Sequence, residues 1–307
     1  SKRLSLNGFK RQRQTNASLI RIYFRYICVQ NRSMYTEYQP SHLLVPYIDS
    51  YWEFKDNPDY GMRIHILPDG CTDFIFTLGE VANAVEEGSL IMQPYRSYFV
   101  GPMTKYSELV TYTESIHMFG VRFLPCGLSC FTNLPLHEFV NSRVSTNEMK
   151  AVFDDTFIEK LGEQKHVTDR IRVVEEYLLA YLARHYQPAD SHVAMAVNMI
   201  NHSKGKRSVR SLMDDVCLCQ RHFERKFKHY TGFTPKEYSR IVKFKNAVEL
   251  LRTTTSANLL TTAVDAGYYD LAHFSKEIKS MSGNTPASFL SLTVPEETTL
   301  TYIEPQR

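Results

Sequence analysis

Two textures of hydrophobic and polar positions divide the chain. From about Tyr47 to Phe123, apolar residues alternate with polar ones over short runs. In MRIHILPDG, Met62, Ile64 and Ile66 fall on one side and Arg63 and His65 on the other, and Pro-Asp-Gly supplies a turn. DFIFTLGE, SYFVGPM, ELVTY and SIHMFGVRF follow at short intervals, rich in the aromatic and β-branched residues that half-buried strands favour. Many short strands with no long helix between them predict a sandwich or barrel.

After Pro125 the spacing becomes helical. TDRIRVVEEYLLAYLARHY (168–186) places Ile171, Val174, Leu178 and Leu182 in one stripe, widened by Tyr177 and Tyr181, with Thr168 as N-cap. That stripe either packs on the strands or pairs with its copy in a dimer. Pro188-Ala189-Asp190 marks a boundary. Beyond it the pattern predicts seven helices: 192–201, 208–216, 220–230, 235–252, 259–266, 271–281 and 286–292. The fold class expected is α+β in two domains, a β-rich front and an all-α back.

The helical part repeats itself. His222, Phe223, Phe227, Gly232, Thr234, Pro235 and Tyr238 recur 51 residues later as His273, Phe274, Ile278, Gly283, Thr285, Pro286 and Phe289. In QRHFERKFKHY, Phe223 and Phe227 form an inward i,i+4 pair. Arg221, His222, Glu224, Arg225 and Lys228 are left on the outward faces. LAHFSKEIK repeats this with Phe274 and Ile278 inward and His273, Ser275, Lys276 and Lys279 outward. Each is preceded by a short helix and a tight turn, which is helix-turn-helix geometry. Gly232 and Gly283 close the helices as C′ glycines, and Thr234-Pro235 and Thr285-Pro286 open the next ones as N-cap and N1. Backbone N–H groups at Thr234 and Thr285 can face a phosphate. The long segment 235–252 between the repeats, with Ile241, Phe244, Val248 and Leu251 inward, reads as a rigid spacer.

Charge sharpens this picture. The net charge is only +3, but residues 201–292 carry 15 Lys+Arg against 8 Asp+Glu, whereas 34–200 carry 12 against 22. A basic back and an acidic middle suggest a polyanion partner for the former. Residues 1–33 hold 8 Lys+Arg and no acid. They read as a flexible basic arm or as sequence ahead of a natural start at Met34, the second being favoured. No apolar run is long enough to span a membrane, and the six Cys form no disulfide framework, which suits a reducing cytoplasm.

With these residues in place, the segment 190–292 resembles the DNA-binding domain of AraC/XylS-type bacterial transcription regulators. Its pattern is met by AGYYDLAHFSKEIKSMSGNTPASF, with Ile278 in place of the usual second Phe and Cys219 in place of a Ser cap on the first reading helix. The resemblance implies that one monomer sets both reading helices in successive major grooves of double-stranded DNA, about 34 Å apart. Carried over, Arg221, Glu224 and Arg225 reach bases in the first unit, and Ala272, His273 and Lys276 hold those places in the second. Lys228 and Lys279 hold phosphates. The alternative for His222 and His273 is hydrogen bonding that is only local. The first unit is therefore expected to specify sequence and the second mainly to anchor.

LPDGCTDFIF, VGPMT and FGVRFLP resemble the front domain of a subgroup of such regulators. The resemblance implies a cupin-like sensor domain over 34–165, a linking or dimerisation helix over 166–189 and a tail over 293–307. Further implied are a homodimer, contact with RNA polymerase, and no cofactor, metal or catalytic residue. An effector pocket lined by Trp52, Tyr51, Arg63, Arg96 or Arg122 would favour an anionic or sugar-like small molecule. The alternative is a front domain that only dimerises or contacts polymerase. A rival of another class is a repair protein of Ada type, which Cys126-x-x-x-Cys130 resembles, but the second Cys pair of that type is missing.

Overall fold

Alternation in DFIFTLGE gives one sheet two apolar faces. The structure, a computed structural model, describes residues 35–57, 62–79, 92–111, 115–149, 152–153, 155–185, 187–216, 218–253, 259–291 and 301–303. Residues 1–33 and Met34 lie outside them. In chain order the strands are β1 (Tyr35–Tyr38), β2 (Ile48–Asp56), β3 (Met62–Ile66), β4 (Thr72–Thr77), β5 (Ser97–Val100), β6 (Ser107–Thr111), β7 (Ile116–Phe123), β8 (Arg143–Ser145) and β9 (Thr301–Ile303). One sheet runs β1-β2-β7-β4-β5-β8 and a second runs β6-β3-β9, with every pairing antiparallel. The expected tail includes a strand, since Ile303 pairs with Ile64 and Thr301 with Ile66.

Period 2 sorts the large sheet. Phe74, Phe76, Phe119, Val121 and Phe123 share one core, while Ile75, Met118, Trp52 and Phe54 join the other. Helices cover the first face. Phe153 and Phe157, the latter on α1 (Asp155–Gly162), wedge their rings against Phe74 and Phe76. Next comes α2 (Val167–Arg184), whose Val174 and Leu178 have no exposed surface and whose Ile171, Tyr177, Tyr181 and Leu182 pack on the same core. Within the chain this stripe packs on the strands, with Ile171, Tyr177, Tyr181 and Leu182 left half-buried. Arg170 locks the helix in place, donating to the carbonyls of Leu161 and Gln164 and meeting Glu53 of β2 at 3.0 Å.

The C-terminal helices fall within two residues of the expected ends. They are α3 (Ser191–His202), α4 (Val209–Val216), α5 (Gln220–Thr231), α6 (Pro235–Thr253), α7 (Leu259–Asp265), α8 (Leu271–Ser282) and α9 (Pro286–Ser291). Asp190, at the boundary read from Pro188-Ala189-Asp190, caps α3 by accepting from the N–H groups of His192 and Val193. Their common core also takes in two front-domain side chains, Leu67 and Cys126. Lys245 of α6 reaches across to donate to the Asp69 carbonyl at 3.0 Å.

Beneath that contact lies a buried charge cluster. The Arg122 guanidinium sits 3.2 Å from Asp73, 3.5 Å from Asp69 and 3.5 Å from Glu37. Trp52 Nε1 donates to Asp73, and the Tyr35 hydroxyl donates to Glu37. One guanidinium faces three carboxylates, so the acids are under-compensated. Burial pushes the Glu37 carboxyl up to about 7 against the pull of Arg122, and burial likewise raises Asp73. Glu37 thus holds a proton in the folded state over a range where the unfolded chain, near 4.5, has lost it. The corresponding stability is fully present below the unfolded value and is lost as pH rises through the folded one. Denaturant unfolding at about pH 5 and pH 7.5 should show a smaller loss of stability on the alkaline side for Glu37→Gln than for the parent chain. Equal losses would remove Glu37 as the titrating group.

Candidate nucleic-acid interface

A helix can present a basic face only if its opposite stripe is anchored. On α5, Phe223 and Phe227 are fully buried with their rings edge to face at 5.6 Å. Their anchoring turns Arg221, Arg225 and Lys228 outward to solvent, with His222 and Glu224 half-buried. The Glu224 carboxylate accepts from the side-chain amide of Gln220 one turn earlier, at 2.9 Å. Lys226 points the other way and pairs with Asp190 at 2.6 Å. Cys219 begins the helix without a side-chain cap, the weakness its sequence foretold.

The second unit is built alike. Phe274 and Ile278 are fully buried, and Ala272, His273, Lys276 and Lys279 are exposed, with Ser275 half-buried. Here the cap is strong, because the Asp270 carboxylate accepts from the His273 N–H at 2.7 Å. The His273 ring meets the edge of Tyr268 at 5.5 Å, a local contact that leaves most of the ring open. Glu277, on the inner side of α8, accepts from Nε and Nη2 of Arg240 at 2.7 and 3.0 Å and so ties the second reading helix to α6.

The two Thr-Pro junctions are not equivalent. Thr234 forms a closed capping box: its N–H donates to Glu237 Oε2 at 2.7 Å, and its hydroxyl oxygen accepts from the Glu237 N–H. A carboxylate therefore already occupies the helix end where a phosphate was expected, and its charge disfavours a second anion. Thr285 meets a neutral partner, Ser288, instead.

The residues proposed for an effector pocket do not converge. Trp52 and Arg122 are buried and engaged in the charge cluster, Tyr51 is sealed against Phe119, and Arg96 is exposed on a separate turn. Arg63 falls on β3, but its side chain lies outside the described residues. A shallow, solvent-open depression lies elsewhere, beside the 102–106 loop, with Met103, Lys105, Tyr106 and Arg143 among its walls. Cys126 and Cys130 are both buried, and burial pushes both thiols up, away from the thiolate form that metal binding or alkyl transfer needs.

One set of contacts escaped the sequence reading. Gly232 and Gly283, the left-handed C′ residues of the two reading helices at φ 83° and 77°, are both covered by the same front-domain loop. A Cβ on Gly232 would lie 2.5 Å from Pro102, and one on Gly283 would lie 2.8 Å from Tyr106. The cap role of each glycine is legible from its position, but a tertiary partner more than a hundred residues away leaves no local pattern.

Residues 36–145 match the family described as a domain of unknown function (DUF6597), and residues 212–291 match the family described as a helix-turn-helix domain. Among solved structures, ToxT from Vibrio cholerae is 9% identical with a TM-score of 0.47, covering 78% of this chain and 97% of that one. The ToxT structure described as bound to an unsaturated fatty acid is 11% identical at a TM-score of 0.46, covering 80% and 96%. The xylose-binding transcription activator XylR is 18% identical at a TM-score of 0.31, covering 41% and 38%. No curated protein matches the chain. The chain thus joins a front region that matches the DUF6597 family to a C-terminal region that matches a helix-turn-helix domain, in keeping with the AraC/XylS resemblance of its sequence.

Proposed function

We propose that the protein is a sequence-specific DNA-binding transcription regulator whose two helix-turn-helix units, on α5 and α8, read successive major grooves. The observation that carries this reading is the paired presentation of exposed cations, Arg225 and Lys228 on α5, Lys276 and Lys279 on α8, opposite buried aromatic or aliphatic anchors. In this reading 190–292 is the DNA-binding domain, 34–165 a cupin-like sensor or regulatory domain and 166–189 the connection between them. The protein works by binding rather than by catalysis. Arg221 and Arg225 give the first unit two bidentate donors for guanine, where the second has Ala272 and Lys276. The first unit therefore carries the larger share of sequence discrimination.

Partners follow from the same surfaces. Leu260, Val264 and Tyr269 expose apolar area on the second unit, which supports a contact with RNA polymerase beside bound DNA. A homodimer would form through an exposed apolar face, for which Leu43 and Val45 are candidates. A small-molecule effector would act on the front domain. Among the described residues no helix is long and apolar enough to cross a membrane, and the site of action is the cytoplasm, where the DNA is.

Selection of duplexes from a random library by the purified full chain should return a motif, and two kinds of variant then separate reading from anchoring. Arg225→Ala should weaken binding to that motif by about 1–3 kcal/mol and relax preference at one position. Lys228→Ala should weaken binding to all sequences alike and lower the salt slope by about 1. A Lys276→Ala change should remove protection over the second half of the footprint. Footprints unchanged by both Arg225→Ala and Lys276→Ala would show that α5 and α8 are not the reading helices.

A further inference from the structure

The reading helices are tied together once through α6. Gly232 leads from α5 directly into it, and Arg240 holds α8 against it through Glu277. A second tie runs outside the C-terminal domain. The loop between β5 and β6 puts Pro102 on the bare Cα of Gly232 and the ring of Tyr106 on that of Gly283. Five residues of one loop, Pro102 to Tyr106, thus span the C-terminal ends of both helices.

The loop is stiff enough to act as a spacer. The Thr104 N–H donates to Asn141 Oδ1 at 2.8 Å, and Asn141 Nδ2 donates back to the Thr104 hydroxyl at 2.8 Å. The backbone N–H of Asn141 donates to the Pro102 carbonyl at 2.8 Å, and that of Gly101 donates to the Ser142 carbonyl at 3.0 Å. Asn141 adopts φ 56°, a conformation that Asn accepts more readily than most residues. The adjoining turn Leu136–Phe139 packs on α5, its Leu136 carbonyl lying 3.2 Å from a Cβ placed on Gly232 and its His137 ring 6.4 Å from that of His229. A bonded corner of the front domain therefore grips the end of the first reading helix, and Tyr106 carries the grip to the second.

We propose that Pro102 and Tyr106 form a brace that fixes the relative placement of the two reading helices. The front domain would then set how well the second unit engages DNA once the first is seated. This rests on the DNA-reading function proposed above. Because packed interfaces switch between discrete arrangements rather than deform smoothly, displacement of the loop uncouples the second unit without touching a DNA-facing residue. The depression beside Met103, Lys105 and Tyr106 lies against the same loop. Tyr106 and Pro102 are positioning residues, acting through the helices they hold.

The test compares a short duplex carrying only the first half of the selected motif with one extended by a further helical turn. For the full-length parent chain, extension should strengthen binding. For Tyr106→Ala, affinity for the short duplex should be unchanged, while the gain on extension should fall by about fivefold. Hydroxyl-radical protection of the second segment should fade in parallel. Tyr106→Phe, which keeps the ring over Gly283, should restore both. Thr104→Ala, which loosens the loop from a half-exposed position, should reproduce the Tyr106→Ala pattern in weaker form and serves if Tyr106→Ala does not fold. An extension gain in the variants equal to that of the parent chain overturns the brace. Failure of the parent chain to select any duplex overturns the DNA-reading function instead, so the two failures are distinct.

Discussion

The i,i+4 pair Phe223–Phe227 is the constraint on which the presentation of the first reading helix depends. Both rings lie wholly inside the core, and removal of either would cost about 3–5 kcal/mol. A helix pinned at two turns on one side cannot roll, so Arg221, Arg225 and Lys228 emerge at fixed angles. Phe274 and Ile278 impose the same condition on α8. Base recognition by side chains demands placement within fractions of an ångström. Here that placement rests on hydrophobic burial, which is itself non-directional, sharpened by close packing.

Electrostatics divides the molecule into two regimes. Along α5 and α8 Arg221, Arg225, Lys228, Lys276 and Lys279 are exposed and face solvent, while Lys226 turns inward to Asp190. In the front domain the reverse holds: Arg122 is enclosed among Glu37, Asp69 and Asp73. A buried arginine of this kind holds strands together and has no capacity left for an incoming anion. Arginine on a strand therefore has two opposite meanings, and only the neighbours across the sheet decide between them.

That is where legibility in the sequence ended. The seven C-terminal helices, their glycine ends and their outward residues could be read because each depends on spacings within a dozen residues. The alternation of β3, β4 and β7 was legible for the same reason. β1, β8 and β9 were not, since strands of three or four residues carry too little alternation to be told from loop, and their order in the sheets depends on distant partners. The failure of Trp52, Arg96 and Arg122 to form a pocket has the same cause. The capping box at Thr234 differs, because its signal is local: Glu237 stands three residues on, as the motif requires.

Leu67 and Cys126 sit in the apolar cluster of the C-terminal helices although they belong to the front domain by sequence, and Lys245 reaches back to the Asp69 carbonyl. Cutting the chain near Asp190 would leave those two side chains facing water and open a hole in the helical core. The two halves accordingly share their cooperativity. Loss of the front domain by proteolysis or truncation leaves a helical fragment already deprived of part of its interior, and the chain has every reason to melt in one transition rather than two.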